Sequence, residues 1–164
     1  MQTKTTFKTS IDVPAGTRER MIDLLNGQLA DISDLYSQTK QAHWNVKGPQ
    51  FMMLHELFDE LAGELLPYAD MIAERATALG GLAMGTVRMA ASASRLPEYP
   101  SHVVDGMELV AALVERYAVL AQTTRAAIDA ADEAADKDTA DLFTEVSRGL
   151  DKWLWFLEAH LQGS

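Results

Sequence analysis

Two histidines and three carboxylates with metal-ligand spacing lie in one stretch of the chain, AHWNVKGPQFMMLHELFDELAGELLPYADMIAERATALGG, residues 42–81. Imidazole mixed with carboxylate suits iron, manganese or zinc, whereas calcium and magnesium take oxygen ligands almost exclusively. We therefore expect a metal site in this stretch, with iron (Fe²⁺/Fe³⁺) as the first choice. The candidate ligands are His43, His55, Asp59, Asp70 and Glu74.

The sequence around these residues predicts a helical hairpin. His43 closes one helical pattern, and the residues NVKGP at 45–49 supply turn chemistry, with the proline placed to open the next helix. Antiparallel helices joined by so short a connection bring His43 and His55 together. The other ligands follow His55 at intervals of four, eleven and four residues, so all four fall within an arc of roughly 100° on that helix.

The length of the second helix decides how many ligands one centre can use. Asp59 and Asp70 are eleven residues apart, which is roughly 16 Å along a helix at ~1.5 Å per residue. One small metal centre does not span that distance. Either one subunit contains two half-sites, or a two-fold axis lays this helix against its copy, so that residues 43–59 of one subunit face residues 70–74 of the other.

Four segments of this chain resemble the Dps proteins, which are mini-ferritins that assemble as hollow dodecamers. The segments are QAHWNVKG, LHELFDE, DMIAERATALGG and DKDTADLFTEVSRGLDKWLWFLE, and the resemblance extends over nearly the whole chain. It implies a ferroxidase centre at a dimer interface, where His43, His55 and Asp59 of one subunit meet Asp70 and Glu74 of its partner. Glu74 is expected to be the strongest carboxylate ligand. Asp70 is expected to be a weaker ligand of the second iron or an orienting residue.

The resemblance also implies the activity. We expect an iron-storage and peroxide-detoxifying ferroxidase, in which H₂O₂ takes one electron from each of two Fe²⁺ ions and ferric mineral collects inside the shell. One alternative is a nucleoid protein whose main role is to bind and compact DNA. Another is a helical shell with a degenerate site, and the complete set of ligands argues against it.

Four amphipathic patterns position these residues and predict an all-α fold. Apolar residues recur at alternating intervals of three and four, as a helix with one buried face requires. We expect a kink rather than a break at Pro67, because the helical pattern continues through Leu79 and because Gly63, four positions earlier, eases the clash with the proline ring. The predicted helices span Thr17–His43, Gln50–Leu79, Asp105–Ala131 and Asp138–Leu161.

A long connection separates the second helix from the third. About 25 residues follow Gly80 and Gly81 before a capping box, Asp105 with Glu108, opens the third helix. A ferritin-like four-helix bundle with one long crossover, itself containing a short helix, explains that length. No Glu-x-x-His motif occurs in the chain, so the ligand pattern inside true ferritin bundles is missing, and this favours the interface site.

Two further groups of residues acquire roles through the resemblance. Acidic residues at the start of the last helix line an iron-entry pore in Dps shells, and an indole near the iron centre takes up oxidising equivalents. Helix-dipole stabilisation explains the acids equally simply, and packing explains the indoles. The candidate pore residues are Asp136, Asp138, Asp141 and Glu145, and the candidate electron donors are Trp44 and Trp155.

Composition limits the remaining possibilities. The chain has 164 residues, no cysteine and a net charge of −10, which disfavours nucleic acid and acidic membranes as partners. It contains no uninterrupted apolar run near the ~20 residues of a membrane span, so we expect a soluble, cytoplasmic protein. Residues 1–16 are expected to form a flexible arm and residues 17–164 the bundle. Lys4 and Lys8 in the arm are the candidate contacts for weak DNA binding.

Overall fold

Four long helices and one short helix form the protein in a computed structural model, which describes residues 6–163. The all-α fold, the four-helix arrangement and the short helix in the crossover are confirmed, and the described residues contain no strand. At every end of the four predicted helices, the predicted bound differs from the observed one by one or two residues, as is usual for helix termini. The helices are α1 (Ala15–Asn45), α2 (Phe51–Ala78), α3 (Val87–Ala93), α4 (Gly106–Glu133) and α5 (Lys137–Ala159).

The core lies between the apolar faces of the four long helices. The predicted faces are largely confirmed, because residues such as Leu25, Leu61, Leu113 and Leu150 are fully buried. Phe51 is an exception, because it is 42% exposed at the first position of α2. None of the described helices is long and apolar enough to cross a membrane.

Pro67 lies within α2, and the helix continues on both sides of it from Phe51 to Ala78. A proline ring crowds the carbonyl of the residue four positions earlier. That residue is Gly63, which has open space around its α-carbon. The expectation that α2 is not broken is therefore confirmed, and α2 carries both parts of the predicted ligand set.

The crossover between α2 and α4 is ordered by side-chain caps. Asp105 accepts hydrogen bonds from the amides of Met107 at 2.9 Å and Glu108 at 3.1 Å, which confirms the predicted start of α4. The Thr86 hydroxyl accepts a hydrogen bond from the Met89 amide at the start of α3. Because these caps satisfy amides that have no partner inside their helix, each helix begins at a defined residue.

Helices α2 and α4 end in the same hydrogen-bonded motif with different residues at the left-handed position. Gly80 has φ 91° and Ala135 has φ 59°. In each case this residue donates to the carbonyl three positions earlier, and the next amide donates to the carbonyl five positions earlier, at 2.9–3.0 Å. This is the Schellman arrangement, in which glycine is the usual residue because a Cβ is disfavoured there.

We expect Gly80→Ala to lower the free energy of unfolding by about 1–2 kcal/mol, because the left-handed conformation costs an L-residue that much. Its new Cβ would also lie 2.6 Å from the Phe7 carbonyl oxygen. Ala135→Gly should raise the free energy of unfolding by up to ~1 kcal/mol, because it removes the same strain. Urea unfolding of both variants measures the two effects. A Gly80→Ala variant as stable as the unmodified protein would contradict this reading.

Candidate metal centre

His43 and His55 form a close pair where α1 and α2 meet. His43 lies near the end of α1, and His55 lies on the second turn of α2, so the short connection places them side by side. Their rings stack with centroids 3.8 Å apart and planes 17° apart. The predicted meeting of the two imidazoles across the hairpin is thus what the structure shows.

Each histidine is fixed by the backbone of the other. His43 Nδ1 lies 2.7 Å from the His55 carbonyl oxygen, and His55 Nδ1 lies 2.8 Å from the His43 carbonyl oxygen. A carbonyl only accepts hydrogen bonds, so both Nδ1 atoms carry the proton. In the neutral rings both Nε2 atoms then keep a free lone pair, which is the state that a metal ligand requires.

This arrangement also completes the end of α1. The His43 carbonyl lies in the last turn of the helix, where carbonyls lack an amide partner four residues later. The amide of Lys47, which would be that partner, donates instead to the Val104 carbonyl at 2.8 Å. The His55 side chain therefore has two tasks, since one nitrogen closes the hairpin and the other is left for a ligand.

Asp59 brings a carboxylate to the histidine pair, and Lys40 accompanies it. His43 Nε2 lies 4.0 Å from Asp59 Oδ1, and Lys40 Nζ lies 2.6 Å from the same oxygen. The hydrogen bond from Lys40 is the main reason that the pKa of Asp59 lies below its ordinary value, while desolvation opposes it. The carboxylate is therefore ionised, and an ammonium group lies where a metal ion would compete for the same oxygen.

These groups open onto a surface depression of about 690 Å³. The Phe51 ring stacks on His55 with centroids 5.2 Å apart and covers one side of the imidazole.

The sequence did not predict Lys40, Phe51 and two further glutamates as parts of the site. The position of Lys40, three residues before His43, was the available signal for it. The lining residues are His43, Phe51, Met52, His55, Glu56, Asp59 and Glu60.

Asp70 and Glu74 lie further along α2, exposed to solvent. Asp70 borders a different shallow depression, which Leu66 and Ala83 also line. Within the described residues of one chain, no three His, Asp or Glu side chains converge on a common metal position. The structure thus brings His43, His55 and Asp59 near one another and leaves the two carboxylates of the second half apart from them.

An apolar groove runs along the surface between the two halves. Lys40 and Trp44 line one part of it, Leu66 and Ala69 of α2 another, and Val87 of α3 forms part of its wall. Its volume is about 350 Å³. Trp44 and Val87 are 63% and 86% exposed, so the groove presents large apolar side chains to solvent, as surfaces that bind another protein do.

The four acids predicted to line a pore divide into two groups. Asp136 is 2% exposed and caps α5, and its carboxylate accepts hydrogen bonds from Arg75 and from the Thr139 amide and hydroxyl. Its carboxylate already serves inside the chain, which corrects the expectation that it faces a pore. The acids that the structure leaves exposed are Asp138, Asp141 and Glu145.

The two tryptophans singled out in the sequence differ in their surroundings. Trp44 lies in the groove beside the histidine pair, with Lys40 Nζ 5.7 Å from its ring centroid. Trp155 is exposed on α5 and makes an edge contact with Phe156 at 5.0 Å. The geometry therefore relates Trp44 to the candidate site through Lys40, and it connects Trp155 to its neighbour Phe156 on α5.

Comparison with known proteins gives a consistent result. Residues 22–163 match the family model of the ferritin-like domain. A DNA protection during starvation protein from Agrobacterium fabrum is 48% identical over 157 residues, covering 96% of this chain and 97% of that protein. Among solved structures, DpsC from Streptomyces coelicolor is 31% identical with a TM-score of 0.92, covering 98% of this chain and 94% of that one. A Dps protein from Vibrio cholerae is 26% identical, with a TM-score of 0.88 over 98% of this chain and 99% of that one, and is described as one of the ferritin-like diiron-carboxylate proteins.

Proposed function

The chain belongs to the Dps proteins of the ferritin-like family, and on that premise we propose that it oxidises Fe²⁺ with H₂O₂ and stores the ferric product. Iron is its substrate and its cargo. The observation that carries the proposal is the histidine pair, in which both Nδ1 atoms bind carbonyls and both Nε2 atoms are free. A pair serving only to join two helices would need the Nδ1 bonds but not a carboxylate 4.0 Å from Nε2.

The donor set fits iron. His43 and His55 offer neutral nitrogen, which keeps affinity for Fe²⁺ moderate, and Asp59 offers an ionised oxygen, which favours Fe³⁺ by charge. The remaining carboxylates come from the second subunit, as Asp70 and Glu74 of the partner subunit. Manganese and zinc accept similar ligands, so metal preference depends on supply as well as on the donors.

The groove supports the sharing of the site between two copies. It runs from Lys40 and Trp44, beside the first half, towards Leu66 and Ala69, beside Asp70 in the second half. A two-fold partner seated on this face would bury the exposed apolar side chains and bring opposite halves together twice. We therefore propose this face as the dimer contact and a closed dodecamer as the complete assembly, which the family resemblance implies.

The reaction conserves charge and atoms. Two Fe²⁺ ions each give one electron to H₂O₂, and with two protons the products are two Fe³⁺ ions and two water molecules. Pairing the electrons avoids the hydroxyl radical that a single transfer would release. Trp44 and Trp155 are proposed to supply electrons when a single oxidising equivalent escapes, and Trp44 has the better position because Lys40 joins it to Asp59.

The exposed acids at the start of α5 are proposed to guide Fe²⁺ into the shell. Asp138, Asp141 and Glu145 occupy successive turns of one helix face, where they add negative potential that attracts cations. Arg75 Nη1 lies 4.0 Å from Asp138 Oδ2, so the negative charge of this carboxylate is partly balanced by the guanidinium. Asp136 is left out of the proposed pore lining because its carboxylate is buried.

Anaerobic titration of the assembled protein with Fe²⁺, followed by H₂O₂, tests the proposed activity. We expect saturable binding before oxidation, and ferric absorbance that appears on addition of about half an equivalent of peroxide per iron, as the two-electron balance requires. Protein that binds no Fe²⁺ under these conditions would refute the proposal. Oxygen supplied in place of peroxide shows which oxidant the site prefers.

DNA binding is a second candidate function, supported by the name of the relative from Agrobacterium fabrum and by the basic residues of the arm. The structure ties that arm down, because the Phe7 amide donates to the Gly80 carbonyl at 2.7 Å. Lys8 follows directly and is exposed, while Lys4 lies outside the described residues. The arm is therefore attached to the bundle one residue before Lys8.

We expect any DNA binding to be weak, to require Lys4 and Lys8, and to weaken steeply with salt, because log K falls by ~0.9 per phosphate contact for each log unit of salt. Many arms on one shell raise apparent affinity by avidity. A gel-shift titration at two salt concentrations compares Lys4→Ala/Lys8→Ala with Lys47→Ala, which removes an exposed lysine from the connection between α1 and α2. Equal affinity of the double variant and the control would exclude the arm as the binding site.

A further inference from the structure

Four polar side chains hold the end of the crossover against the bundle. Three of them lie on one face of α1 at intervals of three and four residues, and the fourth comes from α4. Each binds the irregular segment 94–98, or a side chain that binds it, by hydrogen bonds. We call this set, which consists of Asp31, Asp34, Gln38 and Arg116, the crossover clamp.

Asp31 is the first member, and its carboxylate has no exposed surface. It accepts hydrogen bonds from the Arg95 amide at 2.7 Å, from Arg95 Nε at 2.9 Å and from Arg95 Nη2 at 2.6 Å. One residue of the crossover therefore satisfies this buried charge with both backbone and side chain. Asp34 lies one turn later and accepts a hydrogen bond from the Ser94 hydroxyl at 2.6 Å.

Arg116 is the second buried charge in the clamp and is 4% exposed. Its Nε donates a hydrogen bond to Gln38 Oε1 at 2.7 Å, and its Nη2 donates one to the Glu98 carbonyl. Gln38 in turn donates to the Pro97 carbonyl at 3.0 Å. The carbonyls of Pro97 and Glu98 are thus bound by the Gln38 amide and the Arg116 guanidinium. These two groups are also hydrogen-bonded to each other.

The other end of the crossover is held in a similar way by a single residue. Asn26 Nδ2 donates to the Leu82 carbonyl at 2.9 Å, and Asn26 Oδ1 accepts from the Met84 amide at 2.8 Å. Helix α3 lies between these two attachments. The bonds therefore fix the position of α3 from both sides.

Helix α3 contributes little to the core of its own chain. Ala90 is its one buried residue, whereas Val87 is 86% exposed. Burying two charges is costly unless each is fully paired, and well-packed apolar residues would hold a loop at least as firmly. The purpose of so specific an attachment is therefore to fix where the outer face of α3 lies. That face forms part of the wall of the apolar groove, through Val87 and Ala91.

We propose that the crossover clamp positions α3 for the two-fold contact, so that Asp31 and Arg116 are positioning residues for the shared iron site. The inference rests on the proposed function, because it assumes that two copies meet at the groove. The clamp acts on the site only through assembly. Its loss leaves the ligands of each chain in place and separates the two halves that belong to different subunits.

The test variant is Asp31→Asn/Arg95→Gln, which removes the two charges of the Asp31–Arg95 ion pair together and leaves no unpaired buried carboxylate. We expect helical content near that of the unmodified protein and a dimer dissociation constant raised by roughly tenfold. Specific ferroxidase activity should then rise with protein concentration, because mass action restores the shared site. A lost ligand or a damaged bundle would not be repaired by concentration.

A control and a milder variant keep the test decisive. Arg125→Gln/Asp151→Asn removes an exposed ion pair between α4 and α5 at 2.8 Å, and should leave dissociation unchanged. Ser94→Ala removes the hydrogen bond that the Ser94 hydroxyl donates to Asp34 and the one that it accepts from the Leu96 amide. It should weaken the dimer a few-fold, which decides the matter if the double variant does not fold. The inference would be overturned if the clamp variants fold and their dimers have the same dissociation constant as the dimer of the unmodified protein. Unmodified protein that never assembles or never oxidises iron would instead overturn the proposed function.

Discussion

Replacing His55 with Asn will lower the rate of peroxide-driven Fe²⁺ oxidation by roughly two orders of magnitude, since even residues that only support metal ligands change activity 10–100-fold. The subunit should fold and assemble as before. The Asn amide nitrogen reaches the position of Nδ1, so it preserves the hydrogen bond to the His43 carbonyl. It has no atom at the position of Nε2, so the proposed metal ligand is lost.

A second substitution, His55→Gln, separates the proposed role of His55 Nε2 in metal binding from the role of Nδ1 in the hairpin. Gln places its amide group near the position of Nε2 and lacks a donor at Nδ1, so His55→Gln should lower thermal stability more than His55→Asn does. Glu64→Gln, which removes an exposed carboxylate from the same helix, serves as the matched control and should change neither property. Stopped-flow ferric absorbance and thermal unfolding measure the two effects. An Asn variant that oxidises iron at the unmodified rate would exclude His55 as a ligand.

The hairpin and its histidine pair could be predicted from the sequence because both depend on local rules. The turn residues at 45–49 limit the connection, and helical periodicity then determines which side chains share a face. Pro67 did not mislead the prediction, because Gly63 was visible at the position where the proline ring needs room. Contacts within one hairpin follow from spacing alone.

The partners of individual charges could not be predicted in this way. Lys40 lies on the ligand face of α1, but its hydrogen bond to Asp59 depends on the distance between two helices. Asp136 resembles its acidic neighbours in sequence, yet Arg75 on α2 comes close enough to bury it. Such pairings join residues far apart in the chain, and periodicity carries no information about them.

The contacts that hold the crossover were even harder to predict from the sequence. Its length predicted its role in the topology, and Asp105 predicted where it ends. Nothing in the pattern of α1 distinguished Asp31, fully buried beneath Arg95, from an ordinary solvated acid on a helix. A helix that binds an irregular segment uses polar residues at the spacing of a buried face, and that spacing alone does not identify their partners.

The central claim is that each iron site is shared between two subunits, and complementation of inactive variants tests it most directly. One variant carries Asn at His43, His55 and Asp59, and the other carries Asp70→Asn and Glu74→Gln. Each alone lacks one half of every site. Both should fold and assemble, because the amides at positions 59, 70 and 74 match the carboxylates in size and the Asn side chains at positions 43 and 55 preserve the hairpin bonds.

Unfolding the two variants together and refolding them in equal amounts gives about half mixed dimers if assortment is random. In a mixed dimer one site combines the intact histidines and Asp59 of one subunit with the intact Asp70 and Glu74 of the partner subunit. The account predicts that peroxide-driven Fe²⁺ oxidation reappears at about a quarter of the unmodified rate. No recovery, with mixed dimers demonstrated by mass spectrometry, would contradict the shared site.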